Sequence, residues 1–226
     1  MSAGLVILGT DTGIGKTHVA CALARGLRGR GWRPSAVKPV ESGYDEAKCD
    51  GRRLAEACGE PFEPERHVPQ RFDLPLAPLA AGREEGHSFD LDFALRHARE
   101  RAAGCDLLIV ETAGGIRVPL NEEVSNLELA QRLGWPALLV GRAALGTINH
   151  SVLSLEAARD GGIEVVGFVL NGEQDASTPA GGGNRRIIEE MSGVRCVGEV
   201  PPFGDGVEHL DWDRILPAIG REKRAK

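Results

Sequence analysis

Runs of consecutive, mostly apolar residues recur along the chain, and they constrain its fold more than any other feature of the sequence. They occupy residues 5–8, 35–37, 107–110, 137–140, 165–170 and 197–200. Uninterrupted rather than alternating apolar character is typical of strands that are buried on both faces, as in a parallel sheet. The runs therefore predict the strands of one such sheet.

Segments of helical character separate these runs. They are residues 19–27, 90–103, 125–133 and 148–155. In the first of them Val19, Leu23 and Leu27 recur every four residues, and a glycine-rich turn ends the pattern. The alternation predicts an α/β fold with a doubly wound, mainly parallel sheet and helices on both faces. Ligands of such sheets bind at the carboxyl ends of the strands, so we expect the chemistry at that edge.

The length and composition suit one globular domain. The chain has 226 residues, of which 42% are hydrophobic and 27% are charged. We predict a single domain over residues 1–220 and a basic, flexible tail over residues 221–226. Residues 59–89 contain five prolines and no clean period, which predicts a long irregular connection over the ligand-binding edge. Residues 176–183 read as a flexible loop.

Charge and hydropathy argue against two classes of partner. The chain has 27 Lys and Arg residues and 33 Asp and Glu residues, so its net charge of −6 predicts no nucleic-acid partner. No apolar stretch approaches the roughly 18 residues that a membrane span needs, so we expect no membrane partner either. The five cysteines are scattered without a CxxC pair, which indicates reduced thiols in a cytoplasmic protein.

A phosphate-binding loop follows the first predicted strand. Residues 9–17 read GTDTGIGKT and lead into the first predicted helix, which is the context of a Walker A loop. The loop amides and the helix N-terminus suit a phosphate, Lys16 places a cation against the β- and γ-phosphates, and Thr17 suits Mg²⁺. Five residues rather than four separate Gly9 from Gly15. A plain glycine-rich turn is the alternative, but the flanking strand and helix favour a nucleoside triphosphate such as ATP.

Further segments agree with this loop in order and spacing. They are KPVESG at residues 38–43, Asp50, VETAGG at residues 110–115, LGTINH at residues 145–150, and Asn171 with GEVP at residues 198–201. Together with the loop they resemble the dethiobiotin synthetases, from about residue 5 to about residue 210. The sequence departs from the family at Thr112, where glycine is usual, and at Gly172, where an acid is common.

The resemblance implies a reaction and its participants. The family uses ATP and CO₂ to close a ureido ring on 7,8-diaminononanoate, through a carbamate and a carbamic-phosphoric anhydride, in a homodimer. A carbamate anion that attacks a triphosphate needs cations along its path. The implied cations are Lys16, Lys38 and Mg²⁺, and Ser42 lies near the diamine. Lys38 follows the second predicted strand, so its ammonium reaches the phosphate loop if the first two strands are neighbours.

Two acids are the candidate metal ligands beside Thr17. Glu111 ends the most apolar predicted strand, where an ionised side chain is exposed only at the ligand-binding edge. Mg²⁺ prefers hard oxygen ligands, and the resemblance supports Glu111 and Asp50 in that role. The alternatives are a solvated acid at a strand end and an ordinary acid at a helix start.

The remaining implied site residues contact the nucleotide or the substrate. For the nucleotide they are Thr12, Gly13, Ile14, Gly15, Lys16, Thr17, Asp50, Glu111, Asn171, Gly172, Pro201, Pro202 and Phe203, with Asn171 reading the adenine. For the substrate they are Thr12, Ser42, Gly114, Gly115, Thr147, Ile148 and Asn149. The last three open a predicted helix whose free amides suit the substrate carboxylate across the dimer interface. Capping of that helix by Thr147 or Asn149 is the alternative.

Three rival classes of protein share parts of this pattern. An amidating synthetase for a tetrapyrrole needs additional glutaminase sequence, for which 226 residues leave no room. A partitioning ATPase, which switches on DNA or a membrane, carries a second lysine early in the loop, where this chain has Thr10, Asp11 and Thr12. A degenerate homologue that binds nucleotide without turnover is disfavoured by the intact lysines and acids, but Thr112 leaves it open.

Overall fold

The computed structural model describes residues 4–172 and 183–220. Over these residues the chain forms eight strands, nine helices and one 3₁₀ turn at Val207–His209. The strands are β1 (Gly4–Gly9), β2 (Pro34–Val37), β3 (Val40–Ser42), β4 (Gln70–Phe72), β5 (Leu107–Glu111), β6 (Ala137–Arg142), β7 (Val165–Asn171) and β8 (Cys196–Val200). The helices are α1 (Lys16–Gly29), α2 (Asp50–Cys58), α3 (Pro64–His67), α4 (Pro78–Glu85), α5 (Leu91–Ala103), α6 (Asn126–Leu133), α7 (Thr147–Asp160), α8 (Asn184–Ser192) and α9 (Trp212–Ala218).

The main sheet is parallel throughout the described residues. Its six strands lie in the order β2-β5-β1-β6-β7-β8, and each of the six apolar runs in the sequence forms one of them. The central strand β1 pairs Ile7 with Glu111 of β5, and Gly9 with Val140 of β6. The carboxyl ends of β1, β5 and β6 therefore meet at one edge of the sheet, as the sequence predicts.

Helices cover both faces of this sheet. Side chains of a strand point alternately to its two faces, so Val6 and Leu8 pack into one apolar cluster with α5, α6 and α7. Leu5 and Ile7 pack into the other cluster with α1, α2 and α9. The predicted doubly wound α/β fold with a P-loop is confirmed.

Residues 59–89 are more regular than the sequence indicates. They contain α3, β4 and α4, and β4 pairs in parallel with β3 as a small second sheet. The segment therefore contains short regular elements that the sequence does not predict. Elements of three to eight residues interrupted by prolines are too short to show a period in the sequence. This segment packs beside the KPVESG motif, where Lys38 N donates to His67 O at 2.8 Å and Gly43 N donates to Leu74 O at 2.9 Å.

Two predicted flexible segments lie outside the described residues. They are residues 176–182 of the loop and the tail at residues 221–226, whereas Gly183 is the N-cap of α8. None of the helices at residues 4–172 and 183–220 combines the length and the apolar character that a membrane span requires.

Candidate active site

The phosphate loop joins β1 to α1 in a conformation that depends on glycine. Gly13 and Gly15 have φ angles of +69° and +90°, which L side chains rarely adopt. Lys16 folds back over the loop, and its Nζ donates to the carbonyl oxygen of Asp11 at 2.8 Å. A Cβ at Gly9 would lie 2.7 Å from Lys16 Cδ, so the folded-back side chain explains the glycine at this position. The loop is thus shaped to present amides and one ammonium to an anion.

Burial poises Lys16 to accept an anionic partner. The residue is 6% exposed, and burial lowers the pKa of its ammonium to about 8, although the nearby Glu111 carboxylate opposes this effect. A charged group that has lost its water is stabilised by an opposite charge brought close to it. A triphosphate at this loop would supply that charge.

Lys38, Asp50 and Glu111 form one polar cluster with Thr17 at the edge of the sheet. Thr17 Oγ1 donates to Glu111 Oε1 at 2.8 Å. Lys38 Nζ lies 3.4 Å from Glu111 Oε1 and donates a short hydrogen bond to Asp50. The strands β1 and β2 are not neighbours, because β5 lies between them. Lys38 nonetheless reaches the cluster, because β5 is the strand that ends in Glu111.

The pKa values of Lys38, Asp50 and Glu111 depend on the charges of one another. Burial by itself would lower the pKa of Lys38, but Glu111 and Asp50 outweigh that effect and raise it, so the ammonium stays protonated. Burial would raise the pKa of Asp50, but the charge and hydrogen bond of Lys38 lower it. Burial raises the pKa of the Glu111 carboxyl, and Lys38 opposes that rise. A fixed cation therefore lies beside the phosphate loop.

The donor set fits Mg²⁺. Thr17, Asp50 and Glu111 offer one hydroxyl and two carboxylates, the hard oxygens that this ion prefers. Glu111 is 1% exposed, and no described residue bonds to its buried Oε2. Across residues 4–172 and 183–220, no group of three His, Cys, Asp or Glu side chains could hold a metal by itself. Such a site would need phosphate oxygens and water, as is usual for Mg²⁺.

Glu41 is a buried acid in the cluster that the sequence analysis missed. It is 8% exposed, and its Oε1 accepts a hydrogen bond from Asp50 N at 2.9 Å. The N-cap residue of α2, Cys49, provides no side-chain cap in the described region. Glu41, in β3, therefore caps the N-terminus of α2 and holds the backbone of Asp50 in place. Its place inside the KPVESG motif, three residues after Lys38, was the signal that could have found it.

The loop after β5 packs against the phosphate loop. A Cβ at Gly115 would lie 3.1 Å from Thr10 O, and one at Gly114 would lie 3.2 Å from Thr12 Oγ1. Gly115 therefore allows a close approach of the two backbones, and Gly114 leaves room for the Thr12 side chain. Thr112, where the sequence departs from the family, is buried and donates its hydroxyl to Ile7 O at 2.8 Å. Its side chain holds β5 to β1 instead of pointing into the site.

A cleft of about 430 Å³ opens beside these two loops. It is lined by residues that include Thr10, Asp11, Gly115 and His150. The sequence analysis assigns no role to His150, so this lining residue is one that it missed. A volume of this size suits a small ligand.

The first turn of α7 stands apart from the charged cluster. Gly146 is the N-cap residue and adds no side-chain cap, and Thr147 Oγ1 lies 3.3 Å from Ser151 Oγ. Capping by Thr147 or Asn149 is therefore not observed. No hydrogen bond within residues 4–172 and 183–220 joins Thr147, Ile148 or Asn149 to Lys38, to Ser42 or to the phosphate loop. Ser42 Oγ is itself buried without a partner among the described residues.

Asn171 lies directly against the phosphate loop. Its Nδ2 donates to Ile14 O at 2.9 Å, and its buried Oδ1 lacks a partner in the described part of the chain. Gly172 has a φ of +118° and donates its N–H to Val200 O at 2.9 Å. The backbone pairing of Gly172 and Val200 brings the segment at residues 201–203 to the same edge of the sheet. Phe203 there is 77% exposed.

Comparison with known proteins supports the resemblance. A family model described as "AAA domain" matches residues 3–208. The chain is 43% identical to the ATP-dependent dethiobiotin synthetase BioD of Aquifex aeolicus (strain VF5) over 193 residues, which cover 84% of this chain and 86% of that one. It is 44% identical to the protein of the same name from Anaeromyxobacter dehalogenans (strain 2CP-C) over 180 residues, which cover 78% and 81%.

A solved structure shares the fold. The chloroplast FtsY of Physcomitrella patens matches with a TM-score of 0.54 and 21% identity over 97% of this chain, which spans 65% of the length of that one. At this identity the likeness shows the fold alone. The match to the family model and the identities above show the family. The chain belongs to the AAA domain family and, within it, to the ATP-dependent dethiobiotin synthetases, which are ligases.

Proposed function

We propose that the chain closes the ureido ring of dethiobiotin on 7,8-diaminononanoate with CO₂, and converts ATP to ADP and phosphate. The observation that carries this proposal is the Lys38 ammonium, held between Asp50 and Glu111 beside a phosphate-binding loop. A reaction between two anions needs a cation that is in place before they meet. The names of the relatives support the ATP dependence and the dethiobiotin product.

The proposed reaction has three balanced steps. One amine attacks CO₂, an N–C bond forms, and a proton leaves to give a carbamate anion. A carbamate oxygen then attacks the γ-phosphorus, and the bond from that phosphorus to the β,γ-bridging oxygen breaks as ADP leaves. The second amine attacks the carbamate carbon of the resulting carbamic-phosphoric anhydride. The bond from that carbon to the phosphate oxygen breaks, phosphate leaves, and the amine loses a proton as the ring closes.

In this proposal the two lysines neutralise the path of the phosphoryl group. Lys16 holds the β- and γ-phosphates with the amides of residues 12–17, and to reach them it exchanges the Asp11 carbonyl for phosphate. Lys38 stabilises the carbamate and the transferring group. Thr17, Asp50 and Glu111 would hold Mg²⁺, which supplies charge neutralisation at the phosphates when it is bound.

The nucleotide base lies at the other end of the loop in this proposal. Asn171 Oδ1, a buried acceptor without a described partner, supports a contact with the amino group of adenine. Gly172 and the segment of Pro201, Pro202 and Phe203 would line the base pocket. Exposed Phe203 offers an aromatic ring for this purpose.

The diamine is proposed to lie beside the phosphate loop, in contact with Thr12, Ser42, Gly114 and Gly115. Of these four residues, Gly115 also lines the cleft. The first turn of α7, with Thr147, Ile148 and Asn149, presents amides that suit a carboxylate, but no hydrogen bond among the described residues joins it to the charged cluster of its own chain. We therefore propose a homodimer in which this turn serves the site of the partner chain. The free cysteines support a cytoplasmic location.

A single assay tests this function. Phosphate release from ATP is measured with Mg²⁺ and bicarbonate, with and without 7,8-diaminononanoate, while dethiobiotin is followed by mass. We expect release that depends on the diamine and equals the dethiobiotin formed, and no release from the Lys16→Ala variant. Release that ignores the diamine, or responds to DNA or lipid instead, would support a nucleotide switch. Nucleotide binding without any release would support the degenerate homologue.

A further inference from the structure

Asn126 connects α6 to the loop after β5. It is 0% exposed, and its Nδ2 donates to the carbonyl oxygens of Ala113 and Gly115, the latter at 2.9 Å. These two carbonyls flank Gly114, whose φ of +75° makes the turn between them. One amide nitrogen carries two hydrogens, so a single side chain can hold both carbonyls at once.

The loop that Asn126 holds packs against the phosphate loop, and residues of both loops line the cleft. Ile116 N donates to Gly9 O at 2.9 Å, and Gly115 lies against the backbone of Thr10. Gly115 also lines the cleft. Glycine backbone is conformationally permissive, so the loop needs an external contact to keep one shape. The amide of Asn126 is such a contact.

The start of α6 is anchored independently of that amide. Ser125 and Glu128 form a capping box, in which Glu128 Oε2 accepts from Ser125 N at 2.7 Å. Asn126 N donates to Val118 O at 3.2 Å through the backbone. Loss of the side-chain amide therefore releases the loop but keeps the helix N-terminus in place.

We propose that Asn126 is a positioning residue that sets the affinity for the diamine by holding the loop of Gly114 and Gly115. It does not touch the substrate itself. The proposal rests on the proposed function, because that function puts the diamine against this loop. No motif of the resemblance includes position 126, so this contact is a feature of the tertiary structure.

The Asn126→Asp variant tests the proposal at nearly constant size. A carboxylate has no hydrogen to donate and would face two carbonyl oxygens, so the loop loses both bonds. We expect the KM for 7,8-diaminononanoate to rise at least tenfold and the KM for ATP to stay within twofold. The Kd of the diamine, measured by calorimetry, should rise in parallel. If Asn126→Asp does not fold, Asn126→Ser removes the amide without a charge and should raise the same two constants.

Ser125→Ala is the matched control. It removes the capping hydroxyl one residue away and lowers the Tm, but it keeps the amide and should leave the KM for the diamine within twofold. A change in Tm alone for Asn126→Asp, or an equal rise in the KM for ATP and for the diamine, would overturn the positioning role. A wild type without diamine-dependent release would overturn the proposed function, and this proposal with it.

Discussion

At the scale of single residues, Lys38 is a buried cation that pairs with two carboxylates at the candidate site. Burial of an ammonium is unfavourable, and it is offset here because Asp50 and Glu111 lie on either side. The two carboxylates come from a helix and a strand that are far apart in the sequence. The fold therefore holds a protonated lysine rigidly beside the phosphate loop, where a flexible surface lysine would first have to be ordered.

Replacement of Lys38 by alanine should separate chemistry from nucleotide binding. We expect kcat to fall by about 10² or more, the usual loss for a preorganised charge. The Kd of ADP should stay within about threefold, because Lys16 and the loop amides remain. Lys48→Ala, at a position whose side chain is 83% exposed, is the control and should keep full activity. Activity of Lys38→Ala within a few-fold of the wild type would show that the role assigned to Lys38 is wrong.

At the scale of elements, α1 is held between the sheet and α9 by close packing. Gly26 lies in the buried face of α1, and a Cβ there would be 2.0 Å from the ring of Trp212 in α9. Gly29, at the end of the same helix, has no atom of residues 4–172 or 183–220 within 4 Å of its Cβ position. Packing therefore requires glycine at position 26 of this helix but not at position 29.

Alanine should lower the free energy of unfolding at position 26 but not at position 29. Gly26→Ala forces Trp212 to move and should lower the free energy of unfolding by about 1–3 kcal/mol. Gly29→Ala reduces the freedom of the unfolded chain and should be neutral or stabilising by up to about 1 kcal/mol. Urea unfolding of both variants checks this. Equal effects of the two substitutions would contradict the packing argument.

Glu60 joins three elements of the fold. Its carboxylate accepts from Ser35 Oγ of β2 at 2.8 Å, lies 3.3 Å from His67 Nε2 of α3, and lies 3.1 Å from Arg101 Nη2 of α5. Burial would raise the pKa of Glu60, but the hydrogen bonds from His67 and Ser35 and the charge of Arg101 lower it to about 2. The stabilisation that ionised Glu60 provides to this junction should therefore be lost in acid.

The pH dependence of stability should reveal this junction. The folded-state pKa of Glu60 lies below the ordinary value of 4.5, so its stabilisation is complete above pH 4.5 and disappears as the pH falls towards 2. The difference in unfolding free energy between the wild type and Glu60→Gln should be constant from pH 7 to about 5.5 and shrink below about 4.5. Urea midpoints at each pH measure it. A constant difference down to pH 3 would contradict the assignment.

At the scale of the whole molecule, the interface of the proposed homodimer would bury two leucines that are exposed in the single chain. Leu145, immediately before α7, is 99% exposed, and Leu153 on α7 is 57% exposed. A patch of exposed apolar side chains is typical of an interface, and we expect these two leucines to contribute to one. The first turn of α7, whose amides are proposed to bind the substrate carboxylate, lies between them.

A charge at Leu145 should disrupt both assembly and substrate binding. We expect the wild type to be a dimer by light scattering, and Leu145→Asp to be largely monomeric with a raised KM for the diamine and an unchanged Kd for ADP. Met191→Asp is the control, since Met191 is 61% exposed on α8. A monomeric wild type with full activity would contradict the homodimer.

The organisation of residues 1–220 as a single domain stays a prediction.

Much of the fold followed from the sequence because it depends on local pattern. Strands buried on both faces must be apolar at every position, so six runs predicted six strands. The phosphate loop needs its glycines wherever it occurs. The elements β3 and β4 were missed, because three residues are too few to show a period. Glu41 was missed although it lies in the KPVESG motif, because its partner Asp50 is set by the fold, and Asn126 was missed because it lies in no motif.

The sequence by itself determined the α/β class, the phosphate loop and the family, because apolar runs and motifs can be recognised along the chain without knowing which residues meet in space. The tertiary structure decided which distant residues meet. The strand order put Glu111 of β5 between the strands that lead to Lys16 and Lys38. Buried polar groups must find partners wherever the fold puts them, because unpaired they are costly. The pairing of Asn126 with the loop after β5 therefore exists only in the folded chain.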